Sequence, residues 1–145
     1  MTITKIFKEA DLTSLFIKNQ TSCIFLEVSI GSKNIFGKNS TDRKIDIVVI
    51  HGCKSKKPYN YNENKAYFLK LIQDSKNEVE IIEVKKKLNR VVIGQILVGE
   101  FMFKKKYEVK KIKKSILYHI GDDAMELFCK ENKINLIYFG QRKNI

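Results

Sequence analysis

Long apolar runs are scarce in this sequence of 145 residues. The longest apolar stretch, Val91 to Phe103, is interrupted by two glycines, a glutamine and a glutamate. It therefore falls short of the roughly 18 uninterrupted apolar residues that a membrane-spanning helix needs. The N-terminal segment has charged residues before any apolar run and no small-residue cleavage site, unlike a secretory signal. These absences predict an intracellular protein, not secreted and without a membrane partner.

Cysteine and histidine are also sparse. Cys23, Cys53 and Cys129 are odd in number, widely spaced and without a CxxC pair, which argues against a disulfide framework and against a zinc site. A nucleophilic cysteine would need a histidine partner, and the chain has only His51 and His119. We therefore interpret the three cysteines as core or bystander residues.

Acidic residues are too few to balance the basic ones, because 28 Lys and Arg against 16 Asp and Glu leave a net charge of +12. This excess predicts a polyanionic partner, although an AT-rich genome also produces a composition rich in Lys, Ile and Asn. Clustering favours the partner, since three lysine-rich segments together could build one positive surface. The segments are Lys54, Lys56 and Lys57; Lys85 to Lys87; and seven lysines between Lys104 and Lys114.

The spacing of apolar residues predicts one α/β domain, residues 1–145, with a mixed central sheet flanked by helices. Helices are predicted over 5–20, 63–73, 90–106 and 121–131, and strands over 23–30, 44–52, 79–85, 115–120 and 134–140. The pattern of 63–73 is ambiguous between helix and strand, and we favour helix. Two glycines, Gly94 and Gly99, would let the third helix lie close to the sheet.

Charged residues interrupt two of the predicted strands. Asp46 lies within "KIDIVVIHG", and Glu83 and Lys85 end the apolar run "VEIIEVK". Burying an unpaired carboxylate is costly, so if these strands are neighbours a cation is expected between Asp46 and Glu83. Oxygen donors without histidine or thiolate suit Mg²⁺ or Mn²⁺. The alternative is that each carboxylate forms a structural ion pair, with Lys44 or Lys85.

The acid-x-Lys tripeptide is weak evidence by itself, because a lysine-rich chain forms it by chance. Six copies occur, at Asp42/Lys44, Glu63/Lys65, Asp74/Lys76, Glu83/Lys85, Glu108/Lys110 and Glu131/Lys133. Only Glu83/Lys85 ends an apolar strand, follows a strand with an embedded aspartate and precedes a helix. The context, not the tripeptide, singles it out.

In that context the chain resembles the PD-(D/E)XK nuclease superfamily, and within it the RecB-like and NucS-like branches, from Glu9 to Phe139. The resemblance rests on "EADL", "KIDIVVI", "IIEVK" and "NRVVIGQILVGEF", with "SILYHIGDDAMELFCKENKINLIYF" as the tail. Ile45 stands where the family name calls for proline, and Gly99 stands where a tyrosine often follows the glutamine. The 37 positions between Asp46 and Glu83 imply a basic insertion at about 51–77.

The resemblance implies a restriction-endonuclease-like αβββαβ core and a Mg²⁺- or Mn²⁺-dependent endodeoxyribonuclease. The implied metal ligands are Asp46, Glu83, the Val84 backbone carbonyl and Glu9, the last directly or through water. Lys85 would orient the attacking water or offset charge, and Gln95 would position phosphate or a neighbouring lysine. The implied contacts to the DNA backbone are Lys54, Lys56, Lys57, Lys86, Lys87 and Arg90.

Several alternatives stay open at this point. The chain is either an active nuclease, as a monomer or a homodimer, or a catalytically inactive nucleic-acid-binding module on the same fold. A third interpretation is a basic adaptor for an acidic protein. Glu27, in the first strand, is a spare acidic candidate. Tyr59 and Tyr61 in the basic insertion either stack on unpaired bases or pack within the protein.

Overall fold

The structure, a computed structural model, describes residues 8–140. The helices in this range are α1 (Glu9–Lys18), α2 (Lys33–Phe36), α3 (Lys65–Gln73), α4 (Arg90–Tyr107) and α5 (Asp123–Glu131). The strands are β1 (Ser22–Ser29), β2 (Lys44–Lys54), β3 (Tyr59–Asn60), β4 (Glu78–Lys87), β5 (Ile112–Ile120) and β6 (Asn135–Tyr138). Each predicted element is present, with α3 helical as favoured, although the start of the first predicted helix lies outside the described residues. The short α2 and β3 escaped prediction because neither is long enough to show a period.

The strands form one mixed sheet in the order β3-β1-β2-β4-β5-β6. Neighbours β1, β2 and β4 are antiparallel, whereas β4, β5 and β6 are parallel and are connected through α4 and α5. The central position of β2 and β4 explains their nearly continuous aliphatic sequences, since both faces of these strands are covered. The predicted single α/β domain with a mixed sheet flanked by helices is confirmed.

Alternation along the central strands divides the core into two apolar layers. On one side of the sheet, Ile47 and Ile82 belong to a buried cluster with Leu12 of α1. On the other side, Ile81 belongs to a larger cluster with Ile96 of α4. Full burial of such a side chain contributes about 1.5–3 kcal/mol. The α1 side and the α4 side of the sheet are therefore distinct surfaces, each held by its own helix.

The long helix α4 follows β4 directly. Its first turn is capped by the Asn89 side chain, which accepts a hydrogen bond of 3.1 Å from the Val92 N–H. At Gly99 a Cβ atom would lie 2.7 Å from the Ile45 side chain, which confirms the predicted close approach to the sheet. That prediction is wrong for Gly94, which faces open space. No helix between residues 8 and 140, α4 included, is long and apolar enough to cross a membrane.

The predicted basic insertion, about 51–77, contains β3, a 3-10 turn at Tyr61–Glu63 and α3. The Tyr59 ring stacks on Phe25 with centroids 5.0 Å apart. Tyr61 is buried, and its hydroxyl accepts a hydrogen bond of 2.8 Å from the Tyr107 hydroxyl. Tyr61 is therefore a packing residue, and the alternative that it stacks on a base is wrong because its ring is buried. Tyr59 also packs within the protein but is only half-buried.

Two of the three cysteines are bonded, which corrects the expectation that all three are unpaired. Cys23 and Cys53 form a disulfide with their Cα atoms 5.3 Å apart. The β1–β2 register shifts at Cys23, and Gly52 has a φ of 99°. This irregularity brings Cys53 opposite Cys23, whereas the plain register pairs Cys23 with Ile50. Cys129 is free and buried, as expected of a core residue.

Candidate metal centre

Two acidic side chains meet where β2 begins and β4 ends. The antiparallel register pairs Ile47 with Ile82, so the next pair along the strands is Asp46 opposite Glu83. Glu83 alternates with residues of the apolar layer under α4, so its side chain projects to the α4 side. At Asp46 this alternation is broken, because the adjacent Ile45 belongs to the same layer, and the Asp46 carboxylate instead lies between the strands against the Val84 N–H. Glu83 is 7% exposed and Asp46 is half-buried. The structure thus brings together the two carboxylates that the sequence analysis selected.

Next to the pair Ile47 and Ile82, the two carboxylates replace the backbone-to-backbone hydrogen bonds between β2 and β4. The Asp46 N–H donates to Glu83 Oε1 at 3.2 Å, and the Val84 N–H donates to Asp46 Oδ2 at 2.8 Å. Regular pairing of β2 with β4 extends only to Ile47 and Ile82, and beyond that pair the strands diverge. We call this opening, bordered by Asp46, Glu83 and Val84, the β2–β4 fork. Its carboxylates satisfy backbone amides that would otherwise be unpaired.

The pKa values of both carboxyl groups are raised, chiefly by burial. Burial raises the pKa of Glu83 to about 8, and the negative charge of Asp46 adds to the increase. Burial also raises the pKa of Asp46 and outweighs the hydrogen bond from the Val84 N–H, which lowers it. An opposite charge placed beside the pair would favour the ionised forms. A cation at the fork would therefore have to displace the proton that the raised pKa of Glu83 retains.

Lys85 follows Glu83 by two residues and lies on the same side of β4. Burial raises the pKa of Asp46, and the positive charge of Lys85 reduces this increase only partly. Within residues 8–140, no lysine or arginine forms an ion pair within 4.0 Å of either Asp46 or Glu83. The alternative of structural ion pairs with Lys44 or Lys85 is therefore wrong.

Glu9 reaches the same fork from the first turn of α1. Its Oε2 accepts a hydrogen bond of 3.3 Å from the Lys86 N–H, and its charge adds to the burial that raises the pKa of Asp46. In a strand the N–H and C=O of one residue project to the same side. Because the Val84 N–H points at Asp46, the Val84 carbonyl also faces the fork. Both predicted auxiliary ligands thus lie along one edge of β4.

Glu27 of β1 is a further carboxylate near the fork. The pairs that flank it in the β1–β2 register place it opposite Asp46. Its φ of 56° is in the left-handed region, which is unfavourable for a residue with a side chain. After burial and the charge of Asp46, the charge of Glu27 also contributes to the raised pKa of Glu83. The spare candidate of the sequence analysis therefore acts on the pair electrostatically.

A cleft of about 490 Å³ opens beside Glu83 on the α4 side. One wall is formed by α4 and the other by the start of β2 and the residues around it. The lining residues besides Glu83 are Ile30, Arg43, Lys44, Gly94, Gln95, Val98 and Gly99. Gln95 therefore lines the same cleft as Glu83, which its predicted role requires. Arg43 was missed by the sequence analysis, although its position just before the Asp46 strand was a usable signal.

No family model, curated protein or solved structure matches this chain. We therefore base the assignment of function on geometry, charge and the motifs in the sequence.

The donor set of the fork suits a hard divalent cation. Asp46 and Glu83 supply carboxylate oxygens, and Val84 supplies a carbonyl oxygen. Mg²⁺ prefers oxygen ligands, keeps several waters and needs only one or two carboxylates. Among residues 8–140, no three His, Cys, Asp or Glu side chains are grouped closely enough to hold a metal ion. Waters or substrate oxygens would thus have to complete the coordination.

The predicted nucleic-acid-binding residues fall into two groups. The first group, at the end of β4 and the start of α4, consists of Lys86, Lys87 and Arg90. The second group, at the end of β2 and in the loop after it, consists of Lys54, Lys56 and Lys57. Lys54 is eight residues from Asp46, or roughly 26 Å along β2. Only the first group therefore borders the fork, and the second lies near the opposite end of the sheet.

A second buried carboxylate of β4 was missed by the sequence analysis. Glu80 is 4% exposed and projects to the α1 side. The His51 Nε2–H donates to Glu80 Oε1 at 2.8 Å, and the Ser115 hydroxyl donates to Oε2. Asn135 Nδ2 donates in turn to Ser115 Oγ at 3.2 Å. The signal was present in the sequence, because Glu80 alternates with the apolar residues Ile82 and Val84 as Glu83 does with its own neighbours.

Proposed function

We propose that the protein is a Mg²⁺- or Mn²⁺-dependent nuclease of the PD-(D/E)XK superfamily, in its RecB-like or NucS-like branch, that hydrolyses DNA phosphodiester bonds. The observation that carries the proposal is the meeting of Asp46 and Glu83 in the β2–β4 fork beside Lys85. Two buried carboxylates this close carry both negative charges only with a counter-charge beside them, and a divalent cation can replace the proton that the raised pKa of Glu83 indicates. The arrangement therefore favours a site for a cation and an anionic substrate over a purely structural role.

The connection of the elements supports the proposal. With the one-turn helix α2 and the insertion between β2 and β4 set aside, the order from α1 to β5 is α1, β1, β2, β4, α4, β5. Three antiparallel strands are followed by a helix and a strand parallel to the third. This is the αβββαβ order of a restriction-endonuclease-like core, with the carboxylates on its second and third strands. The proposed fold and the proposed site are thus consistent with each other.

The roles of the site residues follow from their positions. The residues that would hold the cation are Asp46, Glu83, Val84 through its carbonyl, and Glu9 directly or through water. Bound Mg²⁺ or Mn²⁺ would supply Lewis-acid activation of the scissile phosphate and of the attacking water. The Lys85 ammonium, on the same side of β4 as Glu83, would donate to that water or to a phosphate oxygen. Gln95 would position the phosphate from the opposite wall of the cleft.

Basic residues around the cleft would bind the phosphodiester backbone. They are Arg43 and Lys44 on the β2 side, with Lys86, Lys87 and Arg90 at the end of β4. The net charge of +12 would add a long-range attraction to any nucleic acid. We therefore expect the affinity to fall steeply as salt is raised.

A catalytically inactive nucleic-acid-binding module is the second candidate function. It is favoured by one observation, that each carboxylate of the fork already accepts a hydrogen bond from a backbone N–H, Glu83 from Asp46 and Asp46 from Val84. Such a module would keep the basic surface and the fold but would not turn over its ligand.

The test is an assay of the purified protein with Mg²⁺ or Mn²⁺ on labelled duplex, single-stranded, flap and four-way DNA. We expect cleavage, and we expect Asp46→Asn, Glu83→Gln and Lys85→Met each to reduce its rate at least about 100-fold while DNA binding remains. Glu131→Gln and Lys133→Met are matched controls, because this exposed acid-x-Lys pair lies at the C-terminal end of α5, and they should cleave normally. Salt-sensitive binding without cleavage in either metal would select the inactive module. Absence of DNA binding at low salt would contradict both and leave the basic adaptor.

A further inference from the structure

We infer that the cleft beside Glu83 continues along α4 into a binding site for an unpaired DNA strand, with the Phe101 ring as a platform on which a base stacks. The inference rests on the proposed function for the position of the reacting phosphate. Binding of the strand itself requires no cleavage, so it is tested separately.

The starting observation is an apolar stripe on the outer surface of α4. Val91 is 60% exposed, Val98 51% and Phe101 57%. Their spacing of seven and three residues places them on one side of the helix. Gly94, between them, has no atom within 4 Å of the position of a Cβ. A contiguous exposed apolar surface of this kind is typical of a binding site, and we call it the α4 stripe.

The α4 stripe is continuous with the candidate metal centre. Val98 lines the same cleft as Glu83, and Phe101 lies one helical turn beyond Val98. Gln95, on the wall of that cleft, is separated from Phe101 by about 9 Å along the helix axis. A strand whose phosphate lies beside Glu83 would therefore pass directly over the stripe.

Cations surround the exposed ring. Lys105 Nζ lies 5.8 Å from the Phe101 ring centroid. The Phe36 ring centroid lies 6.4 Å from that of Phe101, and Phe36 lines a hollow that also contains Lys38 and Arg43. Arg43 in turn lines the cleft beside Glu83. Aromatic faces interleaved with basic groups are typical of sites that bind single strands, where bases stack and phosphates meet the cations.

The charge pattern selects a DNA strand over a second copy of this chain. The stripe begins next to Arg90 and ends at Lys104 and Lys105. In either a parallel or an antiparallel pairing of two stripes, these basic ends would face each other, in chains that each carry a net charge of +12. A polyanion reverses the sign of that interaction. An unpaired strand also offers a free base face, whereas bases inside a duplex are already stacked on both sides.

The experiment measures binding by fluorescence anisotropy in EDTA, so that no metal-dependent cleavage occurs. The probes are a labelled single-stranded DNA of about 12 nucleotides and a blunt linear duplex of the same length and label. We expect Phe101→Ala to weaken single-strand binding about tenfold and duplex binding less than about twofold, with recovery in Phe101→Trp. The control is Leu127→Ala, since Leu127 is a similarly exposed apolar residue, 58%, on α5. Thermal melts of each variant check folding.

The outcomes separate this inference from the proposed function. Equal single-strand affinities for Phe101→Ala and Leu127→Ala would overturn the inference, as would equal losses on both DNA probes. A dimer in sedimentation that Phe101→Ala converts to a monomer would also overturn it, because the stripe would then be a self-interface. If no DNA is cleaved but the Phe101 effect is present, the proposed nuclease fails and the strand-binding site stands. If DNA is cleaved but Phe101→Ala has no effect on single-strand binding, the strand-binding site fails and the proposed nuclease stands.

Discussion

Two buried carboxylates of the same strand, Glu80 and Glu83, have opposite environments. Glu80, on the α1 side, accepts hydrogen bonds from the His51 imidazole and the Ser115 hydroxyl. Glu83, on the α4 side, accepts from the Asp46 backbone N–H and faces the Asp46 carboxylate. Three residues apart in sequence, one carboxylate has partners that suit its charge, and the other is next to a second acid.

The contrast separates a buried acid with matched partners from the one that we propose to be functional. A carboxylate that stabilises a fold is surrounded by donors, because burial without them is costly. Glu83 has a raised pKa, caused first by burial and then by Asp46. Strongly perturbed pKa values of this kind concentrate at functional sites. Burial alone would have treated Glu80 and Glu83 alike, whereas the identity of the partners distinguishes them.

The largest effect is expected for Glu80→Ala. We predict a loss of about 3 kcal/mol in the free energy of unfolding, because His51 and Ser115 lose their acceptor and a small void is left. Glu83→Gln at pH 8 should lose nothing or gain stability, since it removes a charge that burial disfavours. Urea unfolding at pH 8 in EDTA measures both, with Glu131→Ala as an exposed control. Similar losses for Glu80→Ala and Glu83→Gln would contradict the proposed difference between the two carboxylates, because both would then stabilise the fold.

The next effect is a fall in stability with pH. The pKa of Glu83 is about 8 in the folded protein against an ordinary 4.5, chiefly because of burial. The folded protein therefore binds more protons than the unfolded chain in this range, and its free energy of unfolding should fall as pH rises from about 4.5 to about 8. We expect this fall to be clearest in EDTA, where no divalent cation favours the ionised carboxylates.

The control for this pH dependence is Glu83→Gln, which should flatten most of the curve. Urea unfolding at intervals of pH measures both proteins. A rise in wild-type stability over the same range would contradict the raised pKa of the pair.

A smaller effect is expected from divalent cations. Mn²⁺ or Mg²⁺ at ten times its Kd should raise the free energy of unfolding by about 1.4 kcal/mol. The increase should be larger at pH 8 than at pH 6, because protons compete with the cation for Glu83 and Asp46. Glu83→Gln should lose the increase and Glu131→Gln should keep it, as followed by thermal melts. An equal increase in Glu83→Gln would place the cation elsewhere.

The smallest effect is expected at His51, whose side chain is partly exposed. His51→Ala should cost about 1 kcal/mol in urea unfolding, since Glu80 keeps its hydrogen bond from Ser115. His51→Gln should recover part of the loss because its amide N–H can replace the imidazole donor. Neither variant should alter cleavage by the proposed nuclease, which would confine the role of this cluster to the fold.

The sequence predicted the fork because its signal is a local one. Asp46 and Glu83 each interrupt an aliphatic strand, and two such strands pack together at the centre of a sheet. What local patterns do not give is register, which decides that Asp46 faces Glu83 and that Glu27 lies opposite Asp46. The resemblance to a nuclease family supplied that pairing in advance, and the strand register is consistent with it.

Features that depend on irregular backbone were missed. The Cys23–Cys53 disulfide requires the register shift near Gly52, and no spacing rule for cysteines contains that information. The basic loop after β2 was expected to join the other lysines in one surface. Because β2 extends from Lys44 to Lys54, the loop lies near the opposite end of the sheet from the fork. The clustering of lysines along the sequence contains no information about this distance.

Gly99 sets how near the long helix lies to the acidic fork. Its backbone approaches Ile45, the residue just before Asp46, so closely that a Cβ would lie 2.7 Å from the isoleucine side chain. Ile45 is fully buried and has little room to yield. Any larger residue at this position would have to displace the terminal methyl of Ile45, the residue that precedes Asp46 in β2. One missing methyl group on α4 therefore connects the packing of the long helix to the strand that carries the acid.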